Sequence, residues 1–118
     1  MKISEIKEIL DAEVIFGQEF LNRETTSAFG SDMMSDVLAF AREKSVLLTG
    51  LVNPQAIRTA LMLDMPCVVF VRAKKLTDEV VALAKESGIA VLSTKFRMFE
   101  TCGKLYAKGL KGSGEVND

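Results

Sequence analysis

The sequence predicts an α/β fold of three layers, with a mainly parallel sheet between two layers of helices. Three observations carry that prediction. The apolar, β-branched-rich segments Ser45–Thr49, Cys67–Val71 and Ile89–Leu92 recur at an interval of 22 residues, seen at Val46, Val68 and Ala90. Each is followed by a polar turn and an amphipathic helix pattern. That leaves room for a crossover helix, so the strands are expected to be parallel and joined right-handedly. The three strands are also apolar at successive positions, as in sheets covered by helices on both faces.

Before this repeat, Ile3, Ile6 and Leu10 fall on one side of a short charged helix, with Ser4 as its expected cap. Glu13–Phe16 is a short strand ended by Gly17, Gln18–Glu24 a loop, and Thr25–Phe29 a second small strand. Ser31 and Asp32 are expected to cap a helix with Met34, Val37, Leu38 and Ala41 at i, i+3, i+4 and i+7.

Within the repeat, Asn53-Pro54 marks a helix start, because proline's missing N–H costs nothing at the first position. Ile57, Ala60 and Leu61 are its expected inner face. Thr77 caps a helix over Asp78–Ser87, with Asp78 and Glu79 suiting its positive end and Gly88 as its stop. The last helix carries Phe99, Cys102, Gly103 and Tyr106 in one stripe, read as its buried side, with Gly103 allowing close approach to the sheet. From Gly109 the apolar period ends. One domain over residues 1–110 and a flexible tail over residues 111–118 are expected.

Composition narrows the function. With 48% hydrophobic and 26% charged residues in 118, the chain reads as one globular domain rather than a disordered one. A net charge of −1 argues against broad affinity for nucleic acid or an anionic membrane. The longest apolar runs fall far short of the roughly 20 residues that span a bilayer. Met1–Leu10 alternates charge with aliphatics and does not resemble a signal peptide, so a cytoplasmic location is expected. Histidine is absent, which removes the commonest general base and metal ligand, together with Ser-His and Cys-His nucleophile systems. Cys67 and Cys102 form no C-x-x-C pair and read as small packing residues. Neither G-x-x-x-x-G-K-[ST] nor G-x-G-x-x-G is present. No catalytic residue, metal site or cofactor is therefore expected.

Ligands of α/β proteins usually meet the loops at the C-terminal ends of the strands. Those loops hold Thr49, Gly50 and Asn53, then Arg72 and Lys74, then Ser93, Thr94 and Lys95. Hydroxyls, a glycine, helix starts and three cations on one edge suit a phosphate or carboxylate. The same residues also read as helix caps (Asn53, Thr77, Thr94) and solvated loop charges (Arg72, Lys74, Lys95). Asp32 and Asp36 share a helix face and read as cap plus surface charge.

A set of segments then invites comparison with a family. Arg23 after Asn22, Ser31-Asp32-Met33-Met34-Ser35-Asp36-Val37-Leu38, Leu48-Thr49-Gly50 with Asn53-Pro54-Gln55, Val69-Phe70-Val71-Arg72 and Leu92-Ser93-Thr94-Lys95 resemble a DRTGG domain. The resemblance covers residues 1 to 110. It implies a three-layer α/β fold similar to the N-terminal domain of HPr kinase/phosphorylase. It also implies a regulatory or assembly role without established catalysis, in stand-alone chains or beside CBS domains in some pyrophosphatases. The segment that names the family reads Asn22-Arg23-Glu24-Thr25-Thr26 here, keeping only its arginine, and Ser27 stands where glycine is common. The second, phosphate-loop domain of HPr kinase has no counterpart in these residues.

The expectation is a non-catalytic regulatory, interaction or oligomerisation module, acting as a homo-oligomer, in the simplest case a homodimer. Apolar residues beyond the needs of one small core support this, among them Phe16, Phe20, Leu21, Phe29, Met33 and Phe40. The alternative is a sensor of a small anionic metabolite or nucleotide at the strand-end edge.

Overall fold

Alternation along the central strands decides the layering. The computed structural model describes residues 1–72 and 75–113. In β3 (Ser45–Thr49), β4 (Cys67–Phe70) and β5 (Ala90–Ser93), successive side chains point to opposite faces. Val46, Leu48, Cys67, Val69, Ala90 and Leu92 enter one buried cluster, and Leu47, Val68, Phe70 and Val91 enter the other. Every residue of β3 and β4 is buried. The edge strands β1 (Glu13–Phe16) and β2 (Ser27–Gly30) complete a sheet of order β1-β5-β4-β3-β2. Strands β2 to β5 are parallel, and β1 joins β5 antiparallel.

Because β2, β3, β4 and β5 step across the sheet in one direction, right-handed links put their connecting helices on one face. There α2 (Met34–Phe40), α3 (Pro54–Met62) and α4 (Asp78–Ser87) bury Met34, Val37, Ala56, Ile57, Ala60, Val80 and Ala84. On the other face, α1 (Ile3–Ile9) and α5 (Met98–Ala107) contribute Ile3, Ile6 and Leu105. The expected α/β sandwich with a mainly parallel sheet is thus the observed fold. Each fully buried aliphatic of these two cores contributes about 1.5–3 kcal/mol.

Local signals explain several boundaries. Asn53 Oδ1 accepts from Gln55 N–H at 2.8 Å, with Pro54 opening α3. Thr77 Oγ1 accepts from Val80 N–H at 3.3 Å, and Gly88 closes α4 in the left-handed region at φ 69°. Gly17 has φ 100°, and a Cβ there would lie 2.8 Å from Ala90 Cα, so β1 can turn beside β5 only at glycine.

Other expectations are corrected. Ser4 lies inside α1, and the N–H of Lys2 is instead held by the Glu5 carboxylate at 3.1 Å. Residues Gln18–Phe20 form a short 3₁₀ helix within the expected loop. Helix α2 begins after Met33, and neither Ser31 nor Asp32 caps it. Leu61 on α3 is 49% exposed, because Ala56, Ile57 and Ala60 already fill that helix's inner face.

The largest correction concerns α5, where Thr101 and Leu105 face inward while Phe99 is 84% and Tyr106 60% exposed. Met98, Thr101, Cys102 and Leu105 keep helical spacing as well, and periodicity cannot choose between two adjacent stripes. Nor does Gly103 touch the sheet, since a Cβ there would meet nothing within 4 Å. The glycine that admits α5 is Gly30 on β2, whose Cβ would lie 3.0 Å from Cys102 Sγ and 3.2 Å from Met98 Sδ.

Residues 111–113, placed in the expected tail, are held against the sheet. Ala28 N–H donates to the Lys111 carbonyl at 2.9 Å, and Ser113 N–H donates to the Ala28 carbonyl at 2.7 Å. Ser113 Oγ accepts from Ser45 Oγ at 2.9 Å and from Arg42 N–H at 2.6 Å. Residues 111–113 therefore cover part of the open edge of β2, which would otherwise offer backbone groups to another strand. Residues 114–118 lie outside the described residues.

Candidate functional site

The parallel strands bring the ends of β3, β4 and β5 to one edge, as the sequence implies, and most of their polar groups there bond to one another or to neighbouring loops. Thr49 is fully buried. Its hydroxyl donates to Asp32 Oδ1 at 3.1 Å and accepts from Leu51 N–H at 3.1 Å. The same Asp32 oxygen accepts from Gly50 N–H at 2.6 Å. A carboxylate from the β2–α2 connection thus sits where the sequence suggested an external anion. Asp32 was legible only as a cap, because nothing local shows that its loop folds across β3.

Gly50 has a second role. A Cβ at this position would run into the Arg72 guanidinium, which lies over it and donates from Nη2 to the Gly50 carbonyl at 3.3 Å. Arg72 adopts the left-handed region at φ 70°, and its backbone N–H donates to the Phe96 carbonyl at 2.8 Å. That bond ties the β4 loop to the β5 loop and leaves the arginine side chain exposed beside the edge. Lys74 lies outside the described residues.

Asn53 is exposed and serves as the cap of α3. Ser93 ends β5 opposite Phe70 on one side and Glu13 on the other. Thr94 is 1% exposed, and its hydroxyl donates to the Leu10 carbonyl at 2.7 Å, anchoring the end of α1. Lys95 Nζ pairs with Asp11 at 3.4 Å, both side chains largely in solvent. An exposed pair of this kind adds little stability. Among the described residues the edge offers the exposed Arg72 guanidinium beside a network of internal bonds.

The cysteines do not add a nucleophile. Burial pushes the Cys67 thiol far above its ordinary range and raises that of the half-buried Cys102, so both stay protonated near neutral pH. Among the described residues no group of three or more His, Cys, Asp or Glu is placed to hold a metal ion. No helix among them is long and apolar enough to cross a membrane.

Comparison with protein families matches residues 5–107 to the DRTGG domain. The chain belongs to the DRTGG domain family. No curated protein matches it. Among solved structures it is similar to the CBS and DRTGG domains of the regulatory region of Clostridium perfringens pyrophosphatase, complexed with the activator diadenosine tetraphosphate. That likeness has a TM-score of 0.69 at 17% identity and covers 88% of this chain and 45% of the other. This chain spans less than half of that regulatory region.

In this DRTGG domain the segment Asn22–Thr26 lies away from the strand-end edge and acts as a clamp. Arg23 Nη1 donates to the Gly88 carbonyl at 2.8 Å, and its guanidinium stacks 3.5 Å from the Phe20 ring centre. The Arg23 carbonyl accepts from Ile3 N–H at 3.0 Å, and Thr25 Oγ1 donates to the Met1 carbonyl at 2.8 Å. One segment thereby joins the start of α1 to the α4–β5 turn. Beside it lies a cleft of about 230 Å³ lined by Arg23, Asp64, Pro66, Ser87 and Gly88, among others.

Proposed function

We propose that this DRTGG domain is a cytoplasmic, non-catalytic regulatory module that works by associating with another protein surface. The observation that carries this reading is the outward stripe of α5, where Phe99 and Tyr106 stand exposed. Burying such rings against a partner removes apolar area from water at about 25 cal/mol per Å². The surplus apolar residues noted in the sequence divide differently. Phe16, Phe20, Leu21 and Phe29 pack against the cores, while Met33 and Phe40 are 59% and 62% exposed. Sedimentation velocity over a concentration series tests the reading, with reversible association as the expected result. A monomer at every concentration, with no protein partner recovered from its source, would end it.

A second reading is a sensor of an anionic nucleotide at the strand-end edge. It is supported by the exposed Arg72 guanidinium and by the similar regulatory region, which takes a dinucleoside tetraphosphate. A thermal-shift panel of adenine nucleotides and sugar phosphates separates the two. A large shift with one compound supports the sensor, and association without any shift supports the module.

A further inference from the structure

We infer that this domain has a small-molecule site between α5 and the edge of β2, taking a compact carboxylate that carries one aromatic ring or a short branched chain. The site goes beyond both readings above and stands whether or not α5 meets another protein. A cavity of about 190 Å³ lies there, with residues 110–112 as its third wall.

The sheet edge explains why the space is open. Ala28 packs on the α5 side of the sheet, and a Cβ at Gly30, two residues on, would meet Cys102 and Met98 of α5. Gly112 stands opposite Ala28 in parallel register, so a side chain there would fall on the same side. Two glycines thus stand where side chains would fill the gap under α5. Gly30 is imposed by Cys102, whose Sγ lies 3.0 Å from where its Cβ would be. Nothing imposes Gly112, because its φ is not left-handed and a Cβ would meet no atom within 4 Å.

The walls indicate what fits. Leu48, Leu105 and Leu110 line the cavity and are themselves buried, so its body is apolar. Lys111 is the charged residue of the lining. Among the described residues its ammonium meets no carboxylate and lies 4.3 Å from the centre of the exposed Tyr106 ring. The sheet edge adds a donor. Ala28 turns its N–H and carbonyl outward to residues 111 and 113, whereas Ser31 N–H turns inward to the Leu48 carbonyl. By that alternation the N–H of Gly30 also faces outward, one step beyond the pairing with residues 111–113. An apolar body among the leucines, with its carboxylate at the rim on Lys111 and the Gly30 N–H, satisfies all three. Size narrows the class further. An aliphatic cavity of about 150 Å³ takes a benzene ring, and usual ligand pockets begin at about 300 Å³. This cavity suits one ring or a short branched chain and is too small for a nucleotide.

Cys102 lies in the wall and reports occupancy, since Cys67 is fully buried and silent. The full chain is treated with methyl methanethiosulfonate, with and without phenylacetate or 4-methylpentanoate, and modification of Cys102 is timed by mass spectrometry. At least one acid is expected to slow it saturably, by about fivefold at a few millimolar, while phenylacetamide and acetate leave it nearly unchanged. Lys111→Gln is expected to weaken the protecting acid about threefold to fivefold, the worth of a partly exposed ion pair, with the rate in its absence unchanged. Gly112→Leu fills the cavity and is expected to abolish the protection. Failure of both acids to slow modification overturns the site. Equal protection by phenylacetamide overturns the carboxylate assignment, as does Lys111→Gln that binds like wild type, an exposed change that leaves the fold intact. Protection that persists in a folded Gly112→Leu chain places the compound elsewhere and overturns the site as well. So does a free chain in which Cys102 is shielded until residues 114–118 are deleted, which would assign the cavity to the end of the chain itself.

Discussion

The strand-end edge and the outer face of α5 use their side chains in opposite ways. At the edge, Asp32 holds Thr49 and Gly50, the Leu10 carbonyl holds Thr94, and Asp11 faces Lys95. On α5, Phe99 and Tyr106 extend into water. A ligand that reaches Thr49, the Gly50 N–H or Thr94 must replace internal hydrogen bonds, each with a net value of about 1 kcal/mol. A partner on α5 meets the exposed Phe99 ring directly, whereas at Tyr106 it must also displace or cover the Lys111 ammonium, 4.3 Å from the ring centre. Hydroxyls and cations gathered at strand ends thus report how loops are fixed as readily as where a ligand binds. Capacity for an outside contact is better judged from groups whose interactions are not already made within the fold.

Both regions hang on the same sheet, so the largest expected effect tests that common frame. Val69 is fully buried in β4, between β3 and β5. Val69→Asp places an unpaired carboxylate there and is expected to cost more than about 4 kcal/mol, read as loss of the folded baseline in urea. A cost below about 1 kcal/mol would mean that the strand is exposed and that the edge and α5 do not share a rigid support.

The next variant breaks one side of the comparison. Asp32→Ala removes the acceptor of both the Thr49 hydroxyl and the Gly50 N–H bonds. It is expected to cost about 1–2 kcal/mol in denaturant titration. Asp32→Asn keeps an acceptor oxygen and should lose less than half of that. A neutral Asp32→Ala would show that the edge is not closed from within, restoring it as the better ligand site.

The other side is sharpened by Gly103→Ala. Within a single chain this change is expected to raise stability by about 0.5–1 kcal/mol, measured at low protein concentration where association is absent. A loss of stability would mean that Gly103 serves a contact inside the chain.

Much of the frame was legible because it is encoded locally. The bounds of β3, the Asn53-Pro54 and Thr77 helix starts and the Gly88 stop follow from neighbouring residues, and the structure keeps all of them. The contrast between α4 and α5 shows where that legibility stops. In α4 the Thr77 cap and the Gly88 stop, both local, fix the helix. In α5 two stripes compete, and the choice depends on Gly30 admitting Cys102 and Met98, a contact between residues some seventy positions apart. The candidate site was half legible for the same reason. Strand polarity correctly gathers Thr49, Gly50, Arg72 and Thr94 on one edge, but the bonds from Asp32 and to the Leu10 carbonyl come from distant loops. The Arg23 clamp on Gly88 spans the chain in the same way and leaves no local signal beyond the arginine itself.

The smallest expected effect on stability belongs to Arg72→Ala, and it decides between the two readings of the edge. Arg72 is exposed, makes one side-chain hydrogen bond at 3.3 Å, and holds its left-handed backbone through an N–H that alanine retains. Both residues carry a Cβ, so the conformational strain at φ 70° is shared and cancels. The expected change in stability is therefore within about 0.5 kcal/mol. Ligand response is where the variant speaks. If the guanidinium receives a phosphate, losing one charge-assisted hydrogen bond weakens binding by about tenfold or more. Thermal shifts of wild type and Arg72→Ala are compared with diadenosine tetraphosphate, adenine nucleotides, sugar phosphates and inorganic phosphate. A wild-type shift that Arg72→Ala abolishes makes the edge a sensor despite its internal bonds, with the arginine as its recognition group. A shift retained by the variant moves the ligand elsewhere, the cleft beside Arg23 being the next place to test. With no shift for any anion at millimolar concentration, the edge is a fixed joint between loops, and the activity of this domain rests on what α5 touches.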